Sequence, residues 1–408
     1  AGVKYVFNTN STGQGTFYDA LASRPELNLI VALQEGQATS MAEGYELASG
    51  KTTALVLPSI GMPNAMSNLY NAWKDRSAIA VFSDGQSTGS AGRDGFQQAN
   101  DWLQPTEQFT KWRWQVSHPK RISEMVRRGI KLAGTPPGGP VYIRLPKNIL
   151  RATDLTQTIY PQSAFAVPLQ MEPRAELIDQ AARLLLESTM PMINAGGEIT
   201  RAGANEDLIE LAELLSIPVA QGLSVYGDFP FKHPLFAGFS VGGAPQGIRQ
   251  TDVYLNLGSD MADSTNFGVP VPEQAKVINA RIEYDKISNL YPTDLAIAAG
   301  VKETTRALIE AIEGMATKSR IERIKGNRLE VSRAQNAAAE ERRQRRNART
   351  WNDSPIAIER LLFEADQVLE NDAIIIPETS GRSAYQSMSF ALGQKTVIGP
   401  TIGFALGW

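Results

Sequence analysis

Cysteine is absent from the 408-residue sequence, and only two histidines are present. The absence of cysteine excludes disulfides, a thiolate nucleophile and a cysteine-ligated zinc or iron-sulfur centre. Since His118 and His233 are the only imidazoles, a metal site built from several histidines is excluded as well. The chemistry of this chain therefore does not come from thiols or from a histidine cluster.

Long apolar runs and an excess of positive charge are also missing. No segment approaches the ~20 apolar residues of a membrane-spanning helix, and the given sequence does not start like a signal peptide. A net charge of −3 argues against nucleic acid as the main partner, because such partners require a basic surface. The 42% of hydrophobic residues is typical of a globular chain, and the length suggests two or three domains. We therefore expect a cytoplasmic enzyme with neither nucleic-acid nor membrane partners.

The stretch 29–36 combines an apolar run with a carboxylate near its end. Five consecutive apolar residues, 29–33, predict a strand buried on both faces of a parallel sheet. The apolar spacing that follows predicts a helix over 38–49, and Gly50 is expected to end it. Glu35 then lies at the carboxyl end of the strand, where ligands bind in such sheets. From the residues alone, Glu35 is either a functional group or a cap of the following helix.

Strands and helices alternate over the first 150 residues. Apolar runs predict strands at 5–7, 53–57, 78–83 and 140–146. Helices are predicted at 16–22, from 64 through Trp73, and around Lys131 up to Gly134. This alternation predicts a doubly wound parallel sheet, in which the polar turn at 8–15 is suited to holding a polar substrate group.

A second α/β pattern follows a polar, proline-bearing linker at 151–165. Its helices are predicted at 175–186 and 205–215, and its strands at 191–194, 217–220, 253–257 and 275–279. The glycines Gly196, Gly197 and Gly258 form isolated turns rather than a Gly-x-Gly-x-x-Gly loop. The sequence therefore does not favour a bound FAD or other nucleotide, although this alternative stays open.

The last part of the sequence contains a charged segment, followed by the beginning of a third α/β pattern. Residues 318–350 carry interleaved charges of both signs, which predicts a solvated helix between two domains. A helix at 355–370 and a strand at 373–376 follow, and then a polar turn at 379–381. Such a turn before a helix can hold a phosphate, because free amides and the helix dipole point at the anion. An ordinary helix cap is the alternative.

Several motifs together resemble the thiamine-diphosphate (ThDP) enzymes, the group of benzoylformate decarboxylase and acetolactate synthase. The segments similar to the pyrimidine-binding domain of this family are 32–36, 41–45 and 49–51. Segments 64–66 and 71–73 resemble the decarboxylase, and segments 92–98 and 139–147 resemble the synthase. The resemblance extends over essentially the whole given sequence.

The resemblance implies an α/β fold of three doubly wound parallel-sheet domains. It places a pyrimidine-binding domain at 1–150, a central Rossmann-like domain at 165–315, a charged helical linker at 316–350 and a truncated diphosphate-binding domain at 351–408. The family's Mg²⁺ ligands have no counterpart before Trp408, so no metal ligand is expected within the given sequence.

The resemblance also implies roles for individual residues. Glu35 would hydrogen-bond the aminopyrimidine ring of ThDP and so start catalysis. The further cofactor-binding residues are Pro58, Asn64, Thr379, Ser380, Gly381, Pro400, Thr401 and Ile402. The implied substrate-binding residues are Thr12, Pro58, Ser59, Phe96 and Gln97.

The implied activity is decarboxylation of a 2-oxo acid through an enamine intermediate, with ThDP and Mg²⁺ as cofactors. Pro58 stands where benzoylformate decarboxylase has a histidine, and Phe96 and Gln97 match acceptor-pocket residues of the synthase. A carboligase that joins the enamine to a second carbonyl compound is therefore an alternative, and an inactive relative serving as a binding or regulatory subunit is another. Since the family builds its active site between subunits, a homodimer or homotetramer is expected.

Overall fold

The computed structural model describes residues 2–167, 170–240, 244–261, 271–378, 388 and 396–408. The chain divides into two compact units, the first formed by Ala1–Leu169 with Thr401–Trp408 and the second by Gln170–Pro400. The predicted phosphate turn at Thr379, Ser380 and Gly381 lies outside the described residues. Within the described ranges, no helix combines the length and the apolarity needed to cross a membrane.

The first unit alternates strands and helices around one parallel sheet. Its elements are β1 (Tyr5–Asn8), α1 (Gly15–Ala22), β2 (Asn28–Val31), α2 (Glu35–Ser49), β3 (Thr53–Leu57), α3 (Met62–Lys74), β4 (Ile79–Gly85), β5 (Trp112–Gln115), α4 (Ile122–Gly134), β6 (Val141–Pro146) and α5 (Lys147–Leu150). The strand order is β2-β1-β3-β4-β6-β5, and all neighbours are parallel. The apolar runs of β3, β4 and β6 are buried along their whole length, as expected of central strands covered on both faces.

The direction of winding reverses between β1 and β3. From β1 the chain proceeds to β2 on one side of the sheet, and from β3 it proceeds to β4 on the other side. The loops that follow β1 and β3 therefore diverge, and such a point in a parallel sheet forms a crevice for ligands. Thr12 lies in the first of these loops and Pro58 in the second.

The prediction that residues 29–33 form a strand buried on both faces is wrong. β2 lies at the edge of the sheet, where it pairs with β1, and Val31 is 48% exposed. Leu33, beyond the strand, is 98% exposed. An apolar run records the polarity of its residues but not the position of the strand in the sheet, which depends on distant strands.

The helix predicted after this strand is confirmed, with an earlier start. α2 begins at Glu35 because the side chain of Gln34 accepts a hydrogen bond from the backbone N–H of Gln37 (2.9 Å). It ends at Ser49, and Gly50 terminates it with a φ of 65°, a backbone conformation that favours glycine. The candidate carboxylate is thus part of the first helical turn.

The second unit contains another six-stranded parallel sheet. Its elements are α6 (Ala175–Glu187), β7 (Pro191–Ala195), α7 (Glu198–Ala202), α8 (Asn205–Leu215), β8 (Val219–Gln221), β9 (Phe236–Phe239), β10 (Val253–Leu257), β11 (Lys276–Arg281), β12 (Leu295–Ala298), α9 (Val301–Met315), α10 (Lys318–Thr350), α11 (Ile358–Val368), β13 (Ile374–Ile375) and β14 (Thr396–Val397). The six strands follow the order β12-β11-β10-β7-β8-β9, and β13 and β14 form a separate parallel pair. The predicted parallel α/β architecture is confirmed.

Most predicted elements are confirmed to within a few residues, but seven were missed. β3, α8 and β10 have the predicted bounds or nearly so, because their apolar patterns are strong. The elements that were not predicted are β5, β9, β12, β14, α5, α7 and α9. The missed strands have at most four residues each, which is too short for a clear period.

Candidate active site

Glu35 has its carboxylate fixed by groups that follow two strands of the first sheet. Thr9 Oγ1 donates to Oε1 at 3.3 Å, and Asn64 Nδ2 donates to Oε2 at 3.0 Å. Gly61 packs against the same side chain, since a Cβ at this position would lie 2.6 Å from Oε1. The side chain is only partly buried and belongs to the first turn of α2. The carboxylate is therefore oriented yet accessible to a ligand.

Thr12 lies on a tight turn after β1. Ser11 Oγ accepts the N–H of Gly13 at 3.1 Å and donates to Asp84 Oδ2 at 2.7 Å. A Cβ on Gly13 would overlap the Asp84 carboxylate, so the turn needs glycine here for close approach. Thr12 is exposed, and an open cavity of about 560 Å³ lies beside it. The residues lining this cavity are Asn10, Ser11, Thr12, Tyr18, Leu29 and Val31.

Pro58 and Ser59 begin the turn after β3. Ser59 is 4% exposed, its N–H donates to Asp84 Oδ1 at 3.2 Å, and its hydroxyl lies 3.1 Å from Ser83 Oγ. The Ser59 hydroxyl also donates to the backbone carbonyl of Asp84. Ser59 thus faces the protein interior and holds the turn on which Gly61 contacts Glu35.

Phe96 and Gln97 lie in the irregular segment between β4 and β5. Phe96 is 82% exposed, and Gln97 Oε1 accepts from Gln86 Nε2 at 3.2 Å. In the described part of the chain, neither residue hydrogen-bonds to the groups around Glu35. Hydrogen bonds of the described residues therefore do not link Phe96 or Gln97 to the groups around Glu35.

The three predicted cofactor residues near Trp408 fall in different units. Pro400 is the last residue of the second unit, whereas Thr401 and Ile402 belong to the first. Thr401 is buried, and the backbone N–H of Ile402 donates to Asp75 Oδ1 at 2.7 Å. Within the first unit, Ile402 is thus attached to the end of α3.

A buried carboxylate, Glu43, contributes to the same attachment. Trp408 Nε1 donates to Glu43 Oε2 at 2.6 Å, while the Asn71 side chain exchanges two hydrogen bonds of 2.9 Å with the backbone of Ala405. Burial raises the pKa of Glu43 well above its usual range, and the negative charge of Asp75 acts in the same direction. Glu43 therefore binds a proton more readily than an exposed glutamate does.

The corresponding crevice of the second sheet is filled by protein. Its strand order reverses between β7 and β10, and Gly196 follows β7 while Gly258 follows β10. A Cβ on Gly196 would overlap Ser259, and a Cβ on Gly258 would overlap the side chain of Glu198. Glu198 Oε2 also accepts the N–H of Ile282 at 2.9 Å. The two turns thus contact each other directly where a nucleotide would bind in this type of sheet.

The two histidines take part in local contacts. His118 is exposed, and its Nδ1 accepts the N–H of Lys120 at 3.2 Å. His233 Nε2 lies 3.2 Å from Glu213 Oε1, and its Nδ1 accepts the N–H of Leu235 at 3.1 Å. Among the described residues, no three His, Asp or Glu side chains are grouped so that they could hold a metal ion.

Three residues of the site were not predicted from the sequence: Thr9, Gly61 and Asp84. Each follows, or lies at the end of, a strand of the first sheet, which is the signal that could have identified them. Their partners, however, are distant in the chain, and strand order alone brings them together.

Models of two protein-family domains match the chain. The "Thiamine pyrophosphate enzyme, N-terminal TPP binding domain" matches residues 1–104, and the "Thiamine pyrophosphate enzyme, central domain" matches residues 178–308. Thiamine pyrophosphate, or TPP, is the same compound as ThDP. Together the two models cover more than half of the chain, and the first includes Glu35 and the turns around it.

The curated relatives include synthases and an acetyltransferase. The "Probable acetolactate synthase large subunit" of Methanocaldococcus jannaschii is 31% identical over 330 residues, which cover 78% of this chain and 55% of that protein. The sulfoacetaldehyde acetyltransferase of Rhodobacter capsulatus is 27% identical over 395 residues, covering 92% of this chain and 66% of that protein. The chain thus spans little more than half the length of its synthase relatives.

Solved structures with the same fold include two decarboxylases. The 4-hydroxybenzoylformate decarboxylase of Rhodococcus jostii superposes with a TM-score of 0.79 at 21% identity, covering all of this chain and 74% of that one. The benzoylformate decarboxylase of Polynucleobacter necessarius also gives 0.79, at 17% identity, covering all of this chain and 73% of that one. At these identities the likeness concerns the fold. With two family models matched and this fold in place, the chain belongs to the thiamine pyrophosphate enzymes.

Proposed function

We propose that the whole protein binds ThDP and Mg²⁺ and decarboxylates a small 2-oxo acid. The observation that carries this proposal is the position of Glu35, whose two carboxylate oxygens are oriented by Thr9 and Asn64 at the reversal point of the first sheet. Gly61 leaves room for the Glu35 side chain, which remains partly exposed. A carboxylate held in this way is suited to hydrogen-bonding an aminopyrimidine ring.

ThDP, when bound, would supply a carbon nucleophile and an electron sink for the loss of CO₂ from the 2-oxo acid. Glu35 would hold and exchange a proton with the pyrimidine ring. Thr9 and Asn64 keep its carboxylate in one orientation, so that little reorganisation is needed during the reaction. The exposed hydroxyl of Thr12, beside the open cavity, is positioned to hydrogen-bond the substrate carboxylate.

Transfer of the acyl group to a second carbonyl compound is the second candidate activity. Phe96 is 82% exposed, so its ring is available to line an acceptor pocket. The curated relatives described as acetolactate synthase and sulfoacetaldehyde acetyltransferase support this candidate. A proton donor positioned at the intermediate would favour release of the aldehyde, whereas a positioned carbonyl acceptor would favour transfer of the acyl group.

Product analysis with the full-length protein tests the proposal. We would incubate it with ThDP, Mg²⁺ and either pyruvate or benzoylformate, and follow the products by proton NMR. A free aldehyde supports decarboxylation, and a 2-hydroxy ketone or acetohydroxy acid supports acyl transfer. Absence of any ThDP-dependent product from several 2-oxo acids would instead favour an inactive relative that serves as a binding or regulatory subunit.

The central domain is proposed to function without FAD. The direct contact between the turns at Gly196 and Gly258, with Glu198 seated beside Gly258, occupies the position where the phosphates of a dinucleotide would lie. The purified protein is therefore expected to be colourless. A visible absorbance band of oxidised flavin that remains after gel filtration would contradict this expectation.

A further inference from the structure

Asp84 connects the two turns that carry the candidate site. Its Oδ2 accepts the hydroxyl of Ser11, after β1, at 2.7 Å, and its Oδ1 accepts the N–H of Ser59, after β3, at 3.2 Å. Asp84 itself lies near the end of β4 and is 7% exposed. One buried carboxylate thus bridges the loops on both sides of the crevice.

The turn at Thr12 fits closely around this carboxylate. Ser11 binds Asp84 directly, and Gly13 approaches so closely that a Cβ would overlap the carboxylate. Since both neighbours of Thr12 contact Asp84, the position of the Thr12 backbone depends on this one side chain. Thr12 itself stays exposed beside the open cavity.

The second turn transmits the same constraint to Glu35. Ser59 is held by Asp84, and Gly61, two residues further on, packs against the Glu35 side chain. The distance between Thr12 and Glu35 is therefore set through Asp84 on one side and through the Ser59–Gly61 turn on the other. A substitution at Asp84 would displace Thr12 relative to Glu35, whose carboxylate keeps its own hydrogen bonds to Thr9 and Asn64.

A neighbouring cation also contacts the turn that Asp84 holds. Arg144, on β6, is 8% exposed, and its Nε donates to Ser59 Oγ at 3.3 Å. Burial lowers the pKa of Arg144, and the negative charge of Asp84 acts against this lowering. An ionised carboxylate accepts on both oxygens, whereas an amide at this position would have one acceptor and one donor end.

We propose that Asp84 is a positioning residue that fixes Thr12 relative to Glu35 and thereby sets the affinity for the 2-oxo acid. This inference rests on the proposed function, because it assigns the substrate carboxylate to Thr12. Asp84 does not touch the substrate in this scheme. It acts through the Ser11–Gly13 turn, so its effect depends on the presence of the Thr12 hydroxyl.

A double-mutant cycle in the full-length protein tests the proposal. The variants are Asp84→Asn, Thr12→Ala and the pair, and the measurements are KM and kcat for the 2-oxo acid. We expect each single change to raise KM by about tenfold, and the second change to add less than about twofold in the presence of the first. Affinity for ThDP and kcat should change far less than KM. Independent effects of the two substitutions, which multiply in KM, would overturn the proposal. A fall in kcat or in ThDP affinity as large as the rise in KM would overturn it as well.

Two further variants protect this test against a general loss of structure. Ser11→Ala removes the hydrogen bond to Asp84 Oδ2 together with the one that Ser11 Oγ accepts from the N–H of Gly13, and should raise KM in the same direction as Asp84→Asn. If Asp84→Asn does not fold, the cycle between Ser11→Ala and Thr12→Ala replaces it. Asp19→Asn, an exposed aspartate on α1, is the matched control and should leave KM unchanged.

Hydrogen exchange separates failure of this inference from failure of the proposed function. Asp84→Asn should speed amide exchange at Gly13 and Ser59 by about tenfold or more, whether or not the protein turns over a 2-oxo acid. Where this variant does not fold, Ser11→Ala replaces it and exchange at Ser59 alone is the readout, because Ser11 Oγ itself accepts the N–H of Gly13. Unchanged exchange at these amides overturns the positioning role. Faster exchange in a protein that lacks ThDP-dependent turnover supports the positioning of the turns and contradicts the proposed function alone.

Discussion

Glu35 carries the sharpest prediction at the scale of single residues. In Glu35→Gln the size and most hydrogen bonds are retained, but an amide cannot hold and exchange the proton at the pyrimidine ring. We expect kcat with a 2-oxo acid to fall by at least ~100-fold, the usual range for loss of a general acid-base group. Steady-state kinetics with saturating ThDP would measure the change.

The control for this substitution is Glu26→Gln, which changes an exposed carboxylate just before β2. It should keep the turnover of the unmodified protein. Full turnover in Glu35→Gln would contradict the role assigned to Glu35, and an equal loss in both variants would point to an effect of charge on the whole surface.

Glu43 gives a prediction on pH dependence. Because its pKa in the folded protein is raised, its contribution to stability is fully present below the usual carboxyl pKa and is lost as the pH rises through the raised value. Glu43→Gln resembles the protonated form and should remove this loss. The variant should therefore gain stability relative to the unmodified protein as the pH rises above the usual carboxyl pKa.

Urea unfolding at a series of pH values would measure the difference for Glu43→Gln. The midpoints of the two proteins should be similar at the acidic end and diverge as the pH rises, with the variant higher. A constant difference across the series would show that Glu43 does not take up its proton on folding.

At the scale of secondary-structure elements, a buried cation holds α10 against α6 and α8 within the second unit. Arg328 donates to the carbonyls of Leu185 at 2.7 Å, Ser188 at 2.5 Å and Leu215 at 3.2 Å, at the carboxyl ends of α6 and α8. Cations are favoured at such helix ends, where the last carbonyls lack partners. Burial lowers the pKa of Arg328 to about 10, so its carbonyl partners are needed to hold the charge.

Arg328→Met should therefore destabilise the second unit. The side chain keeps a similar length but leaves three buried carbonyls without a donor, which we expect to cost about 2–4 kcal/mol. Denaturant unfolding followed by circular dichroism would measure the loss. Arg333→Met, at an exposed position of α10, should cost less than about 0.5 kcal/mol, and similar losses in both variants would contradict the capping role.

The elements also show where sequence patterns are informative. The helix ending at Gly50 and the strand at 53–57 follow from local features, because a C-terminal glycine and a fully apolar run act within a few residues. The burial predicted for β2 is wrong, because an apolar run also occurs in this strand at the edge of the sheet. The long helix at 318–350 was predicted from its charges, but the burial of Arg328 was not, since its partners lie more than 100 positions away.

At the scale of the whole molecule, the exposed apolar residues near β2 bear on assembly. Val31 and Leu33 precede Glu35 and are exposed, which is uncommon for large apolar side chains beside a functional group. We propose that a second copy of the chain covers them, as the family's shared active sites imply. The full-length protein should then sediment as a dimer or tetramer.

Leu33→Asp tests this proposal for the assembled protein. A charge placed in the subunit interface should shift sedimentation toward the monomer and lower turnover, because the site would lose its second subunit. Leu290→Asp, an exposed leucine of the second unit, is the control and should leave both unchanged. A fully active monomer would contradict the shared site.

The sequence by itself determined the parallel α/β architecture, the ends of most elements and the place of Glu35 at the start of a helix after a strand. These features follow from local patterns of polarity, from glycine and from capping residues. Only the tertiary structure decided which side chains meet there. The bond between Ser11 and Asp84 joins residues 73 positions apart, and that between Thr9 and Glu35 joins residues 26 apart. Such pairs depend on the order of strands in the sheet, which no local pattern encodes.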